Sequence, residues 1–341
     1  MKLTQQIIFV FLSFALSTIT SAQEHLIFAV DLIRHGDRTP THNLPKSPYL
    51  WQEGLGELTP LGMQQEYMLG KELRHKYVDQ YHLLPTSYDV KTINVRSTDS
   101  NRTLMSAESF LLGLYPLGTG PTTLPARYQP IPIHTVPINE DSLLAVKFSK
   151  NIYSLAKLYF STKRIWNEKT KPIQEKINRW SAATGLNLND FRKFGMLSDN
   201  LYIRKIHHVP FPEGISASDA DEIISLGNWA TTTAFKFKAI SYPTGHQVLT
   251  SIETYFENAA HQKDQLKYVL LSGHDSTIMS VMNTLGNPVD TIPPYASDLN
   301  FSLYENNQQY FVKVTFNHTL VNLPGCEKGI CSLTQFAEIA D

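Results

Sequence analysis

Three short polar clusters carry most of the reactive side chains in this 341-residue chain. The first is Arg34-His35-Gly36-Asp37-Arg38-Thr39-Pro40, the second Arg96-Ser97-Thr98-Asp99, and the third Ser272-Gly273-His274-Asp275. Brought together, they supply two imidazoles (His35, His274), three guanidiniums (Arg34, Arg38, Arg96) and one carboxyl group (Asp275). That set suits a phosphoryl group. A guanidinium stays charged at any relevant pH and pairs bidentately with phosphate oxygens. A phosphoryl transition state spreads charge over its equatorial oxygens, so donors fixed around it are the main catalytic device. An imidazole can attack phosphorus and a carboxylic acid can protonate the departing alcohol, so the set needs neither metal nor cofactor.

Each cluster follows a run that reads as a strand. Residues 25–33 (HLIFAVDLI) are almost continuously apolar, the pattern of a strand buried on both faces, and the run stops where Gly36 and Pro40 break it. A second unit starts at Val90, where VKTINV leads into the Arg96 cluster. A helix with Leu104, Ala107, Leu111 and Tyr115 on one face follows, with Asp99 as N-cap. The third runs from LKYVLL (266–271) into the His274 cluster and a helix over 276–285. Strand, polar turn and helix recur three times. In open α/β sheets the ligand crevice lies at the carboxyl ends of the strands, so the three clusters are expected to converge there.

Other pieces complete the architecture. Leu58-Thr59-Pro60 reads as an N-cap and first-turn proline opening a helix to about Tyr77. Val248, Ile252, Tyr255, Phe256 and Ala259 keep helical spacing. Alternation at Leu299, Phe301, Leu303 and again at Tyr310, Val312, Val314, Phe316, around a turn over 305–309, predicts an antiparallel hairpin at one edge of the sheet. The expected fold is α/β: a mixed, largely parallel central sheet with helices on both faces. Its core comprises residues 23–140 and 230–341, and a smaller, mostly helical cap insertion occupies 141–229.

Composition limits the alternatives. A net charge of −1 argues against a nucleic-acid partner, and 42% hydrophobic residues with 16 Tyr and 17 Phe argue against disorder. Lys2, the apolar run 7–16 (IIFVFLSFAL) and small residues at 20–22 read as a cleavable signal over residues 1–22, because the run is shorter than the roughly 20 residues that span a bilayer. The expected product is secreted or periplasmic, with no membrane association after cleavage. In that oxidising setting Cys326 and Cys331, with four residues between them including Gly329, are expected to form a local disulfide.

The sequence resembles the histidine acid phosphatases, a branch of the histidine phosphatase superfamily. The first cluster is similar to the family's R-H-G-x-R-x-P signature, Arg96-Ser97-Thr98-Asp99 with Arg102-Thr103 to its second arginine motif, and His274-Asp275 to its H-D pair. Trp51, Gly54, Gly56, Gly62, the stretch 129–137, Pro293-Pro294-Tyr295-Ala296-Ser297 and Leu323-Pro324-Gly325-Cys326 extend the resemblance to prostatic-type members. It implies that His35 is the nucleophile that forms a phosphohistidine and that Asp275 donates a proton to the leaving group. Arg34, Arg38, Arg96 and His274 then hold the phosphoryl oxygens of a phosphate monoester. It also implies a homodimer. This chain has fewer cysteines than prostatic-type relatives. Ser276-Thr277 stands where phytase-type members carry Thr-Asn, which turns the reading away from phytate.

The competing readings are a phytase, a phosphoglycerate mutase-like transferase, and a non-catalytic phosphate-binding protein. The export signal and the H-D pair speak against the transferase, and a proton donor at Asp275 would serve nothing in a binding protein. Several residues receive no chemistry. Asp37 lies at the signature's variable position, and His134 sits in a proline-rich stretch that positions the chain. Adjacent His207 and His208 diverge too much to ligate one metal. The sequons at Asn101, Asn300 and Asn317 matter only in a glycosylating host.

Overall fold

The computed structural model describes residues 24–146 and 165–340. The expected signal segment and residues 147–164 of the expected cap lie outside them. Strand β1 (His25–Arg34) is the centre of a seven-stranded sheet. It pairs in parallel with β3 (Tyr268–Gly273), which pairs in parallel with β2 (Ile93–Ser97). On its other side β1 meets β4 (Asp298–Asn306), which runs antiparallel to it and to β5 (Gln309–Phe316). Two short strands, β6 (Thr319–Leu320) and β7 (Ile330–Ser332), complete that edge. The sheet is mixed, as expected. Its parallel part is confined to β2, β3 and β1, the three strands that carry the polar clusters. The hairpin is more central than expected: β4 lies directly beside β1, and Asn307 and Gln308 form its turn with φ values of 51° and 64°.

Helices cover both faces because the strands alternate two apolar sets. Phe28, Val30 and Leu32 of β1 pack with Val269 and Leu271 against α7 (Lys238–Ala260) and α8 (Asp275–Thr284). Ala29 and Ile33 face the other way with Val95 and Leu270, onto α1 (Pro60–Arg74) and α2 (Asn101–Leu114). Leu26 falls on this second face although its parity matches Phe28, because a register irregularity between them shifts the strand. Phe256 of α7 sits edge-on to Phe28 and close to Phe336 of α9 (Leu333–Ala340). Truncating it to Ala would cost about 3–5 kcal/mol, the usual range for a fully buried Phe.

Local capping matches the expected boundaries closely. Thr59 caps α1 by accepting from Gly62 N–H at 3.1 Å, with Pro60 in the first turn, and a π-helical segment (His75–Gln80) extends the helix past Tyr77. The helix after β2 begins at Asn101 with Ser100, not Asp99, as its N-cap. Gly36 and Gly62 meet backbone to backbone: a Cβ on Gly36 would stand 2.3 Å from the Gly62 carbonyl oxygen. The absent side chain at Gly36 thus serves helix docking rather than approach of a substrate.

The helices after residue 164 gather around a second core. Helices α3 (Ile165–Thr170), α4 (Gln174–Thr184), α5 (Phe191–Ile206) and α6 (Ala217–Phe235) bury Trp180, Phe194, Leu197, Leu201 and Ile223 together, and this cluster reaches Met279 of α8. Helix α6 continues through residue 229. At the far edge, Cys326 and Cys331 form the disulfide expected between them. Asn300 is buried in the sheet and donates to Asp31 Oδ1 at 2.8 Å, so its sequon is closed to modification.

Candidate active site

Strand register brings the polar clusters together. Arg34 pairs with Gly273 and Ser97 with Ser272, so the chain leaves the sheet at His35, Thr98 and His274 side by side. Backbone bonds hold the exits: His35 N–H donates to Gly273 O at 3.1 Å and Thr98 N–H to Ser272 O at 3.1 Å. The His35 and His274 rings stand 5.5 Å apart, edge to face. Asp275 opens α8, and its carboxylate pairs with Arg34 Nη2 at 2.9 Å. Arg34 also donates to Pro293 O, and its guanidinium lies over the Tyr295 ring at 4.2 Å.

The third guanidinium differs from the sequence expectation. Arg96 lies on β2 with alternate side chains Ile93, Val95 and Ser97 buried on the opposite face. Its Nη2 pairs with the buried Asp141 at 3.0 Å, and Nη1 donates to Ser97 O at 2.6 Å. The cavity beside His35 is lined instead by Arg102, from the first turn of α2, with Arg38, His274 and Asp275. The physical reason is strand parity: once β2 places Ser97 on the α2 face, Arg96 must point away. The sequence signal for Arg102 was its position in the first turn of the helix that follows a strand, where side chains overhang the strand ends. His134 pairs its backbone with β2, donating to Val95 O and accepting from Ser97 N–H at 2.9 Å each.

The three guanidiniums share an unusual feature. The Nε–H groups of Arg34, Arg38 and Arg102 are buried and find no acceptor among the described residues. A buried donor without an acceptor is costly, so three at one crevice describe a cradle for an anion. Arg38 is held by Asp199 of α5, which accepts from both Nη atoms at 3.0 and 3.1 Å. Two cavities adjoin the cradle, sharing Arg38 and Asp275. One, of about 530 Å³, is bounded by Ile138 and Val146; the other, of about 360 Å³, lies under the cap at Met196, Tyr202 and Asn228.

Electrostatics divides the roles. Burial, and then the charges of Arg34, Arg38 and Arg102, hold the His35 imidazole neutral well below its usual range. Its Nδ1–H donates to Gly36 O at 2.8 Å, which leaves the Nε2 lone pair for attack. His274 is driven down to about 3, by burial first and then by Arg102. His274 Nε2 meets the Thr98 hydroxyl at 3.1 Å. For Asp275 burial pushes the carboxyl up, but Arg34 and Arg38 pull harder and hold it below the ordinary carboxylate range. Without a bound anion the Asp275 side chain is therefore a carboxylate paired with Arg34. An anion that neutralises the guanidiniums removes that pull and favours protonation.

Among the described residues no group of three or more His, Cys, Asp or Glu side chains is placed to hold a metal ion, and His207 is engaged with Asp37 at 2.7 Å. The sequence reading gave neither of these two residues, nor Asp199, a place at the site.

A family model described as "Histidine phosphatase superfamily (branch 2)" matches residues 25–317. Human prostatic acid phosphatase is 30% identical, over 97% of this chain and 89% of the relative. Lysosomal acid phosphatase from Xenopus laevis is 32% identical, over 95% and 78%. Among solved structures, the phytase from Citrobacter braakii superposes with a TM-score of 0.70 at 18% identity, covering 93% of this chain and 97% of that one. That likeness concerns the fold.

Proposed function

The chain belongs to branch 2 of the histidine phosphatase superfamily, and from that premise we propose that it is an acid phosphatase hydrolysing phosphate monoesters through a phosphohistidine on His35. The observation that carries the residue assignment is the trio of buried, acceptorless Nε–H groups of Arg34, Arg38 and Arg102 around a neutral imidazole.

In the first step the lone pair on His35 Nε2 forms a bond to phosphorus as the P–O bond to the alcohol breaks. Asp275 passes its proton to the leaving oxygen. The guanidiniums of Arg34, Arg38 and Arg102, with the ring N–H of His274, take up the charge on the equatorial oxygens. In the second step Asp275 removes a proton from water as the water oxygen attacks phosphorus. The N–P bond breaks, inorganic phosphate leaves, and Asp275 is again protonated. An acidic medium supports this cycle because Asp275 must begin protonated, whereas His35 stays neutral under its cationic neighbours.

Export to an oxidising compartment is part of the same reading. It is supported by the apolar run at residues 7–16, the Cys326–Cys331 disulfide and relatives named prostatic and lysosomal. No helix among the described residues is long and apolar enough to cross a membrane. The test is to mix enzyme with a labelled phosphate monoester and quench in alkali, where phosphohistidine survives. Label on the wild type and none on His35→Ala is the expected result. Wild-type turnover by His35→Ala would remove His35 as nucleophile.

A further inference from the structure

The chemistry above leaves Asp37 and His207 unused. Asp37 lies within the signature, yet its side chain is fully buried; it accepts from Thr59 Oγ1 at 2.5 Å and meets His207 Nε2 at 2.7 Å. His207 immediately follows α5, and Trp51 covers its ring edge-on at 5.6 Å. The backbone of Asp37 is fixed as well. Its N–H donates to Gln65 Oε1 at 2.8 Å and its carbonyl accepts from Thr59 N–H at 3.0 Å, both groups belonging to the start of α1 or its cap. Asp37 is therefore a rigid post.

The same helix α5 carries Asp199, whose carboxylate grips both Nη atoms of Arg38. Helix α5 thus meets the signature loop at two consecutive residues, Asp37 near its C-terminal end and Arg38 midway along it. Nη1 donates to both Asp199 and Thr39 O, and Nη2 to Asp199, so the Nε–H and the second Nη2–H of Arg38 are the donors that remain for a ligand. Helix α5 has further contacts: the Tyr202 ring meets Tyr295 at 6.1 Å, Asn200 donates to His42 O at 3.0 Å and Arg204 to Ser47 O at 2.5 Å. The two hydrogen bonds hold the cap to the 42–47 loop, and neither reaches the signature loop at Asp37 or Arg38.

Resting on the reading that Arg38 binds the phosphoryl group, we infer that Asp37 and His207 are a positioning pair. Their contact sets the seat of α5 on the signature loop, and through Asp199 it sets the aim of Arg38. Neither residue touches the substrate. Arg38 binds the phosphoryl group in both ground and transition states, so a mis-aimed Arg38 weakens both and KM responds more than kcat.

The experiment uses the full chain with 4-nitrophenyl phosphate as substrate and inorganic phosphate as competing ligand. His207→Ala should raise KM and the phosphate inhibition constant together by about tenfold, the size of one lost hydrogen bond to a charged group, with a smaller change in kcat. His207→Gln, whose amide N–H can reach Asp37, should recover to within about threefold of wild type. The double variant His207→Ala/Asp199→Ala should bind phosphate no worse than Asp199→Ala alone, since both act through Arg38. Unchanged KM in a folded His207→Ala, a Gln variant as impaired as the Ala variant, or fully additive losses in the double variant would each overturn the inference. If His207→Ala does not fold, Asp37→Asn enters the same cycle with Asp199→Ala. Wild-type turnover separates the two readings: its absence removes the hydrolase, while phosphate affinity by calorimetry still reports on the pair.

Discussion

Replacing Arg102 and Arg96 one at a time separates a residue that serves the reaction from one that serves the fold. Arg102→Ala removes a charged donor whose Nε–H has no acceptor of its own and which faces His35 and His274. A donor aimed at developing phosphoryl charge is worth about 2.7–4 kcal/mol, so turnover should fall about 10²–10³-fold with little change in stability. Loss of Arg102 also removes one of the charges that lower His35 and His274, so both rise toward the ordinary imidazole range. The acidic limb of the kcat/KM profile then moves to higher pH. Arg96→Ala does something else. It strips the cationic partner, 3.0 Å away, from the fully buried Asp141, which keeps only the amides of Leu143 and Leu144. Breaking such a buried pair costs about 3 kcal/mol and leaves kcat near wild type. Steady-state kinetics on 4-nitrophenyl phosphate and urea denaturation of both variants read the two effects. An Arg96→Ala enzyme that keeps its stability but loses turnover as severely as Arg102→Ala would refute the assignment.

Three further outcomes are expected. Asp275→Asn should lower kcat/KM for alkyl phosphates about 10²–10⁴-fold and for 4-nitrophenyl phosphate far less, because kcat/KM reports the phosphorylation step and only the poor leaving group needs the acid there; equal losses in kcat/KM would count against that role. The buried Asp298 carboxyl is held well above its usual range by burial, then by Asp31 beside it, with Lys76 opposing and Glu72 adding to the rise. Its folded-state proton affinity exceeds the unfolded one, so its contribution is complete below a pH of about 4 and is lost as pH rises through the folded value. Against Asp298→Asn, the wild type should therefore lose relative stability from pH 4 upward in urea titrations, and parallel curves would exclude this. Reducing the Cys326–Cys331 bond should cost about 2 kcal/mol, the chain-entropy value for so short a loop, and leave kcat untouched; a drop in kcat would mean the bond reaches the site.

The clusters at His35 and His274 were legible because each ends a buried apolar strand, and consecutive residues there fix both identity and location. Arg96 misled for a reason visible in hindsight in the same stretch. Ile93, Val95 and Ser97 share a face, so Arg96 points the other way, and the guanidinium that reaches the cavity comes from the next helix. Residues 141–229 read as helical from helical patches and the lack of a strand signal, and the described helices within 165–235 share a core. Their contacts with the signature were not readable. Asp199 with Arg38 and His207 with Asp37 join positions 161 and 170 residues apart, and no local pattern encodes such a pairing. The polar group inside the sheet was equally hidden: nothing local to the apolar run around Asp31 shows that Tyr77 and Asn300 donate to it at 2.9 and 2.8 Å.

The backbone contact between Gly36 and Gly62 has a practical consequence for anyone redesigning this molecule. Because neither position has room for a methyl group, the turn bearing the nucleophile is built as one piece with the start of a neighbouring helix. Mutant libraries that randomise either glycine will mostly yield misassembled protein, whatever alcohol they are selected on. The walls at Ile138, Met196 and Asn228 lie outside that joint. They can be diversified freely, so preference for new esters can be evolved there while the reacting end stays untouched.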